Sequence, residues 1–208
     1  MSGPRPLLAL LRSVNVGGHN KVPMAELREA ASAAGFTQVA TYLQSGNLRL
    51  ASALPPGDVE AALQQLLVVR FGVQVETMVR TAAQWRGYAS GSPFPDAEQE
   101  RPQLLLLAVP KRPLHAAAAA QLQARADGRE RVAQRDGVLW IDFGAGIART
   151  RLTPTVLERA AGSALTTRNW RTVLALDELV RGAPEASALA PAPARPAPAS
   201  KPRAARRK

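Results

Sequence analysis

Three short polar motifs interrupt the apolar runs of this chain, at residues 11–21, 44–47 and 166–172. They read Leu-Arg-Ser-Val-Asn-Val-Gly-Gly-His-Asn-Lys, Gln-Ser-Gly-Asn and Thr-Thr-Arg-Asn-Trp-Arg-Thr. Asn, Arg, Gly and hydroxyl side chains hold backbone conformations and bind ligands better than they pack in a core. We call them the first, second and third motif, and we expect them to meet at one site.

The first motif follows an apolar strand and precedes a helix. Gly17 and Gly18 would let backbone N–H groups approach a phosphate or carboxylate near the positive end of that helix. The complete dinucleotide and phosphate-loop glycine patterns are both absent. The alternative is structural: the glycines make a turn, Asn15 bonds the loop backbone, and Arg12 pairs with a nearby carboxylate.

The second motif has the composition of a hairpin turn, because Gly46 and Asn47 tolerate positive φ and Asn can bond its own backbone. Gln44 adds a side chain that both donates and accepts hydrogen bonds. A turn is therefore the default interpretation, with Gln44 placed where other strand ends could reach it.

The third motif precedes an amphipathic helix. Asn169 is a suitable N-cap, and Trp170 could anchor the helix to a sheet. Arg168 and Arg171 carry guanidinium groups, which bind phosphate or carboxylate at two points and also form structural ion pairs.

Catalytic chemistry has little support in the sequence. His19 is the one plausible general base, since His115 is expected to be exposed at the start of an alanine-rich helix. Asp142 is expected on the outward side of a strand. Neither a metal-ligand pattern nor a cofactor motif is present, so we predict no metal and no cofactor.

The composition indicates a folded, cytoplasmic protein with a basic tail. The chain has 208 residues, 46% of them hydrophobic, and no cysteine, which suits a reducing compartment. Its apolar start is too short for a signal peptide or a membrane span. The net charge is +11, and six of the 27 Lys and Arg residues lie after Glu185 in an Ala/Pro-rich end that contains no Asp or Glu. These six residues and Glu185 are set aside in the next count. The remaining 21 Lys and Arg face 15 Asp and Glu, so the body is only mildly basic.

We predict that residues 183–208 form a disordered, extended tail. It could hold nucleic acid weakly and without sequence preference, or it could be a solubilising tail with no partner. The candidate nucleic-acid contacts are its last cations: Lys201, Arg203, Arg206, Arg207 and Lys208.

The polar motifs lie on a repeated pattern of elements. Apolar runs, helix starts and turn residues predict the order βαββαβ over residues 1–80 and a similar order over 81–182. Two packed ferredoxin-like units are the most economical α+β architecture for this order. The duplication is visible in element order and not in residue identity.

Taken together, the three motifs resemble those of the DUF1697 family of bacterial proteins. The matching segments are Leu10–Gly18, Tyr42–Asn47 and Thr166–Trp170, and the resemblance covers about residues 6–181. It implies a duplicated ferredoxin-like fold and no established activity. Ser13 stands where the family pattern has Gly, and Thr167 where it has Ala.

Our leading prediction is a polar cleft that binds an anionic ligand, either a nucleotide or a nucleic-acid phosphate. The alternative is a non-catalytic module in which the motifs only tie the two repeats together and function lies in protein–protein contact; an enzyme using His19 is a third possibility. The residues predicted to bind ligand are Arg12, Asn15, Gly17, Gly18, Gln44, Asn47, Arg168 and Asn169.

Overall fold

A computed structural model describes residues 3–182 of the chain. The predicted tail, with its candidate nucleic-acid residues, lies outside the described residues. The first unit consists of β1 (Arg5–Leu11), α1 (Met24–Ala33), β2 (Thr37–Tyr42), β3 (Asn47–Ser52), α2 (Pro56–Phe71) and β4 (Thr77–Thr81).

Two helices then connect the first unit to a second unit of the same order. The connecting helices are α3 (Ala82–Ala89) and α4 (Pro95–Glu100). The second unit consists of β5 (Leu105–Pro110), α5 (Ala118–Gln123), β6 (Arg131–Arg135), β7 (Val138–Asp142), α6 (Pro154–Ala161) and β8 (Leu165–Asn169), followed by the closing helix α7 (Trp170–Arg181).

Each unit contains one four-stranded antiparallel sheet. The strand orders are β2-β3-β1-β4 and β6-β7-β5-β8, so the same positions are filled in both units. In each sheet the first strand lies between the third and the fourth, which is the arrangement of a split βαβ unit. The predicted α+β fold of two similar ferredoxin-like units is confirmed.

The helix ends follow from local sequence. The helix α2 begins with Pro56 in its first turn and ends at Gly72, which takes the left-handed conformation at φ 66°. Thr81 and Gln84 form a capping box at the start of α3. None of the helices within residues 3–182 is both long enough and apolar enough to cross a membrane.

Three apolar cores hold the layers together. The first lies between the first sheet and the helices α1 and α2, and a corresponding core packs the second sheet against α5 and α6. The third core is shared: Leu8 and Leu10 of β1 meet Leu107 of β5 around Trp85 of α3 and Trp170 of α7. Because alternate residues of a strand face opposite sides, β1 serves two cores at once.

Candidate functional site

The three polar motifs meet where the two units join. The Nε atom of Arg168 donates a hydrogen bond to Oδ1 of Asn47, and its Nη2 reaches the carbonyl oxygen of Leu11 at 3.3 Å. Nδ2 of Asn15 donates to the carbonyl oxygen of Gln44 at 2.8 Å. The expectation that these motifs are neighbours in space is therefore confirmed.

Arg168 is the centre of this junction. Its Nη1 donates to Thr166 Oγ1 at 2.8 Å and to the Thr167 carbonyl at 2.7 Å, and its Nη2 also reaches the carbonyls of Ser45 and Gly46 at 3.2 and 3.4 Å. The residue is 8% exposed, and burial lowers its pKa to about 10. All its N–H groups are used and every acceptor is neutral, so Arg168 joins the units and has no donor left for a ligand.

Asn15 fixes the loop that contains the first motif. Its side chain accepts a hydrogen bond from the Val22 N–H at 2.9 Å and donates to the Val22 carbonyl at 2.9 Å, closing the loop on itself. The tip at Gly17 and Gly18 is exposed and turns back through a bridge between Val16 and His19. The polar groups of Asn15 are thus occupied by backbone.

The second motif is a tight turn pressed against the first. Gly46 has φ 73°, and a Cβ atom there would clash with Val14 and lie 2.7 Å from Cβ of Leu11. Asn47 donates to the carbonyl oxygen of Tyr42 at 2.9 Å, which closes the turn. The Gln44 side chain is exposed and has no hydrogen-bond partner within residues 3–182.

The third motif starts α7. Oδ1 of Asn169 accepts a hydrogen bond from the Thr172 N–H at 2.9 Å, so Asn169 is the N-cap of the helix. Trp170 is buried and packs edge-on against Trp140, with ring centroids 5.6 Å apart. Arg171 is exposed.

A cleft of about 410 Å³ opens beside this junction, with walls from both units. Its polar lining is Arg12, Ser13, Ser45, Glu158, Thr166, Thr167 and Arg168; its apolar lining is Leu11, Val14, Val16, Leu106, Phe143, Ile147, Leu152, Pro154, Leu157 and Leu165. Among the eight residues predicted to bind ligand, the structure places Arg12 and Arg168 on the cleft wall. Of the other six, Asn15 and Asn47 fix the surrounding loops, Gly17 and Gly18 form the exposed loop tip, Asn169 caps α7, and the exposed Gln44 is not part of the cleft wall.

The guanidinium group of Arg12, unlike that of Arg168, has N–H groups that remain available to a ligand. Its Nε donates to Oε1 of Glu158 at 2.8 Å, whereas Nη1 and Nη2 have no acceptor within residues 3–182. The side chain is 35% exposed. Arg12 therefore presents two terminal amino groups beside the cleft while its orientation is held by Glu158.

His19 lies at the exposed tip of the first loop and is absent from the cleft wall. Its ring makes no side-chain hydrogen bond within residues 3–182. In the same part of the chain, no group of three or more His, Asp or Glu side chains could hold a metal ion.

The prediction that Asp142 lies on the outward side of a strand is wrong. Its side chain is 1% exposed and accepts hydrogen bonds from Arg101 at 3.0 and 2.8 Å and from Arg131 at 3.0 and 2.7 Å. Burial raises the pKa of Asp142, but the bonds from Arg101, the Gly144 N–H and Arg131 outweigh it and keep that pKa below its usual value. The predicted hairpin could have indicated this ion pair, because Arg131 and Asp142 are direct partners on its two strands.

The fold has a solved relative. The conserved bacterial protein SP0830 from Streptococcus pneumoniae superposes with a TM-score of 0.67 at 19% identity, over 85% of this chain and 99% of that one. No curated protein matches the sequence. The sequence model of DUF1697, a protein family of unknown function, matches residues 5–140. Because this model matches more than half of the chain, the protein belongs to the DUF1697 family.

Proposed function

We propose that this protein binds a small molecule with an apolar body and an anionic group in the cleft between its two units. The observation that carries the proposal is the free edge of Arg12, whose Nη1 and Nη2 have no acceptor within residues 3–182. A guanidinium edge binds carboxylate or phosphate through two parallel hydrogen bonds.

The cleft has the size and lining of a ligand site. Its volume of about 410 Å³ lies in the usual range of small-molecule pockets, roughly 300–1,000 Å³. Apolar side chains predominate around a few polar groups, which is the lining that favours an apolar body oriented by one or two polar contacts. Val16 and Ile147 remain 62% and 46% exposed at its wall, so a ligand could cover apolar surface there.

The polar motifs contribute to binding by building the cleft. Arg168 and Asn47 hold the end of β1, the second motif and β8 together, and this junction sets the distance between the two walls. The buried charge of Arg168 adds positive potential without offering a hydrogen bond. A purely structural role, in which the motifs only tie the repeats together, is favoured by the full use of the Arg168 donors and is the second candidate.

A thermal-shift panel tests the proposal. The probes are 3-phenylpropanoate, octanoate, phenyl phosphate and nucleoside monophosphates. A probe at 100 times its Kd stabilises the folded state by about 2.7 kcal/mol, which for a chain of this size raises Tm by about 5–10 °C. Arg12→Gln should abolish the shift, and Arg70→Gln on the exposed face of α2 should leave it unchanged.

The results separate the two candidates. If no probe raises Tm, or if Arg12→Gln keeps the full shift, the ligand site is refuted and the tying role remains. For the tail, which the structure does not describe, we propose weak binding of nucleic acid without sequence preference. A cytoplasmic location is proposed from the lack of cysteine.

A further inference from the structure

The ion pair at the cleft leaves an unused acceptor as well as an unused donor. Oε1 of Glu158 accepts hydrogen bonds from Arg12 Nε at 2.8 Å and from the Leu165 N–H at 3.1 Å. Oε2 of Glu158 has no donor within residues 3–182, although the side chain is only 26% exposed. A carboxylate oxygen on a partly buried wall requires a donor, from water or from a ligand.

The contact joins Arg12 Nε to Glu158 Oε1, so each free atom, Nη1, Nη2 or Oε2, lies two covalent bonds away from that contact. A ligand that meets both must present an anionic group and a cationic group that are themselves adjacent. An α-amino acid has this arrangement, because its carboxylate and its ammonium group are bonded to the same carbon atom. The ligand's carboxylate would meet the Arg12 edge while its ammonium group donates to Glu158 Oε2.

Resting on the proposed function, we infer that the ligand is a free α-amino acid with an apolar side chain. The apolar wall receives that side chain, and at roughly 30 Å³ for each water-sized group the cleft holds on the order of a dozen non-hydrogen atoms. A phosphate dianion suits the site less well, since the Glu158 charge repels it. A zwitterion adds no net charge to a pair that is already neutral.

Binding measured by titration calorimetry tests the inference with matched probes. L-phenylalanine is compared with 3-phenylpropanoate, which lacks the ammonium group, and with 2-phenylethylamine, which lacks the carboxylate. L-leucine and 4-methylpentanoate form a second pair. We expect one amino acid to bind at least about tenfold tighter than its counterparts, because a charge-assisted hydrogen bond is lost in each.

The variant Glu158→Gln tests whether Glu158 Oε2 accepts a hydrogen bond from the ammonium group of the ligand. The glutamine amide oxygen can still accept from Arg12 and from the Leu165 N–H, whereas its amino group replaces the free Oε2 and cannot accept from ammonium. The variant should therefore lose the preference for the amino acid over the deaminated acid and retain binding of that acid. Its unfolding midpoint checks that the fold is intact, and if it fails to fold the comparison of probes on the parent chain still decides.

The outcomes for this inference and for the proposed function differ. Equal or tighter binding of both deaminated acids than of their amino acids overturns the amino-acid inference and leaves the anionic site intact. A preference that survives Glu158→Gln also overturns it. If neither the amino acids nor the deaminated acids bind, the inference fails, and the phosphate probes of the earlier panel decide whether the anionic site remains.

Discussion

Replacing Gly46 by Ala should destabilise the protein by more than the same replacement at an equally strained but open position. Gly46 has φ 73°, a left-handed conformation that costs an L-residue about 1–2 kcal/mol. In addition, the new Cβ would clash with Val14 and lie 2.7 Å from Cβ of Leu11. Leu11 is 1% exposed and Val14 is 1% exposed, so neither side chain has open space into which it could move.

The magnitude follows from these two causes. Overpacking a filled core costs about 1–3 kcal/mol, so the two costs together give about 2–5 kcal/mol for Gly46→Ala. Gly18 provides the matched control, because it has φ 82° and a Cβ there would meet nothing within 4 Å. Gly18→Ala should therefore cost only the backbone strain, about 1–2 kcal/mol. The loss of glycine entropy in the unfolded chain is the same for both and cancels in the difference.

Urea unfolding of the parent and the two variants measures that difference. With a slope of about 2 kcal/mol/M, 1–3 kcal/mol moves the midpoint of Gly46→Ala below that of Gly18→Ala by roughly 0.5–1.5 M. Equal midpoints for the two variants, with unchanged slopes, would show that the second motif does not press on the first.

Ser13 has a positive φ of 54°, so Ser13→Gly should raise the free energy of unfolding, measured in urea, by about 0.5–1 kcal/mol. The control, Ser32→Gly within α1, should lower it by about 0.5 kcal/mol. A lower free energy of unfolding for both variants would show that Ser13 is not strained. Hydrogen bonds from Arg side chains lower the pKa of Asp96 to about 2, and the pKa of Asp142 is also lowered. Folding stability should therefore be lost as pH falls from about 4 towards 2, and the loss should be shallower in Asp142→Asn; a pH-independent unfolding midpoint would refute this. For the tail, oligonucleotide affinity of the full chain should fall with salt at a log–log slope of about 4–5, and a chain ending at Gly182 should lose most of that affinity; no change on truncation would make the tail a bystander.

The fold could be predicted because its signals are local. Alternating apolar residues, prolines at helix starts and glycines at helix ends predict most elements. The sequence predicts a helix from Pro154 to Ala161 that ends at Gly162, and α6 has these bounds. The alternating residues from Val73 to Val79 predict a strand over that range, but strand pairing decides where β4 begins. It starts only at Thr77, which is the partner of the last residue of β1.

The sequence predicts where the site lies but not what each of its residues does. All three motifs in the sequence contain Asn and two contain Arg, and Arg12 and Arg168 look equivalent there as candidate anion-binding residues. Only the packing separates them, because Arg168 is enclosed by backbone carbonyls from the other unit whereas Arg12 meets one carboxylate and keeps its outer edge free. Glu158, 146 residues from Arg12 in sequence, lies in a helix whose sequence offers no sign of that contact.

The shared core has a consequence for how the chain is made. Leu8 and Leu10 of β1 share a core with Trp170 of α7, which is synthesised about 160 residues later. At about 5–20 residues per second, the roughly 100 residues from α3 to the end of α7 take about 5–20 s to translate. During that interval the first sheet can fold on α1 and α2, whereas the core on its other face, to which α3 contributes Trp85, lacks Trp170 until α7 is made. Part of this apolar face therefore stays uncovered on the ribosome until α7 emerges.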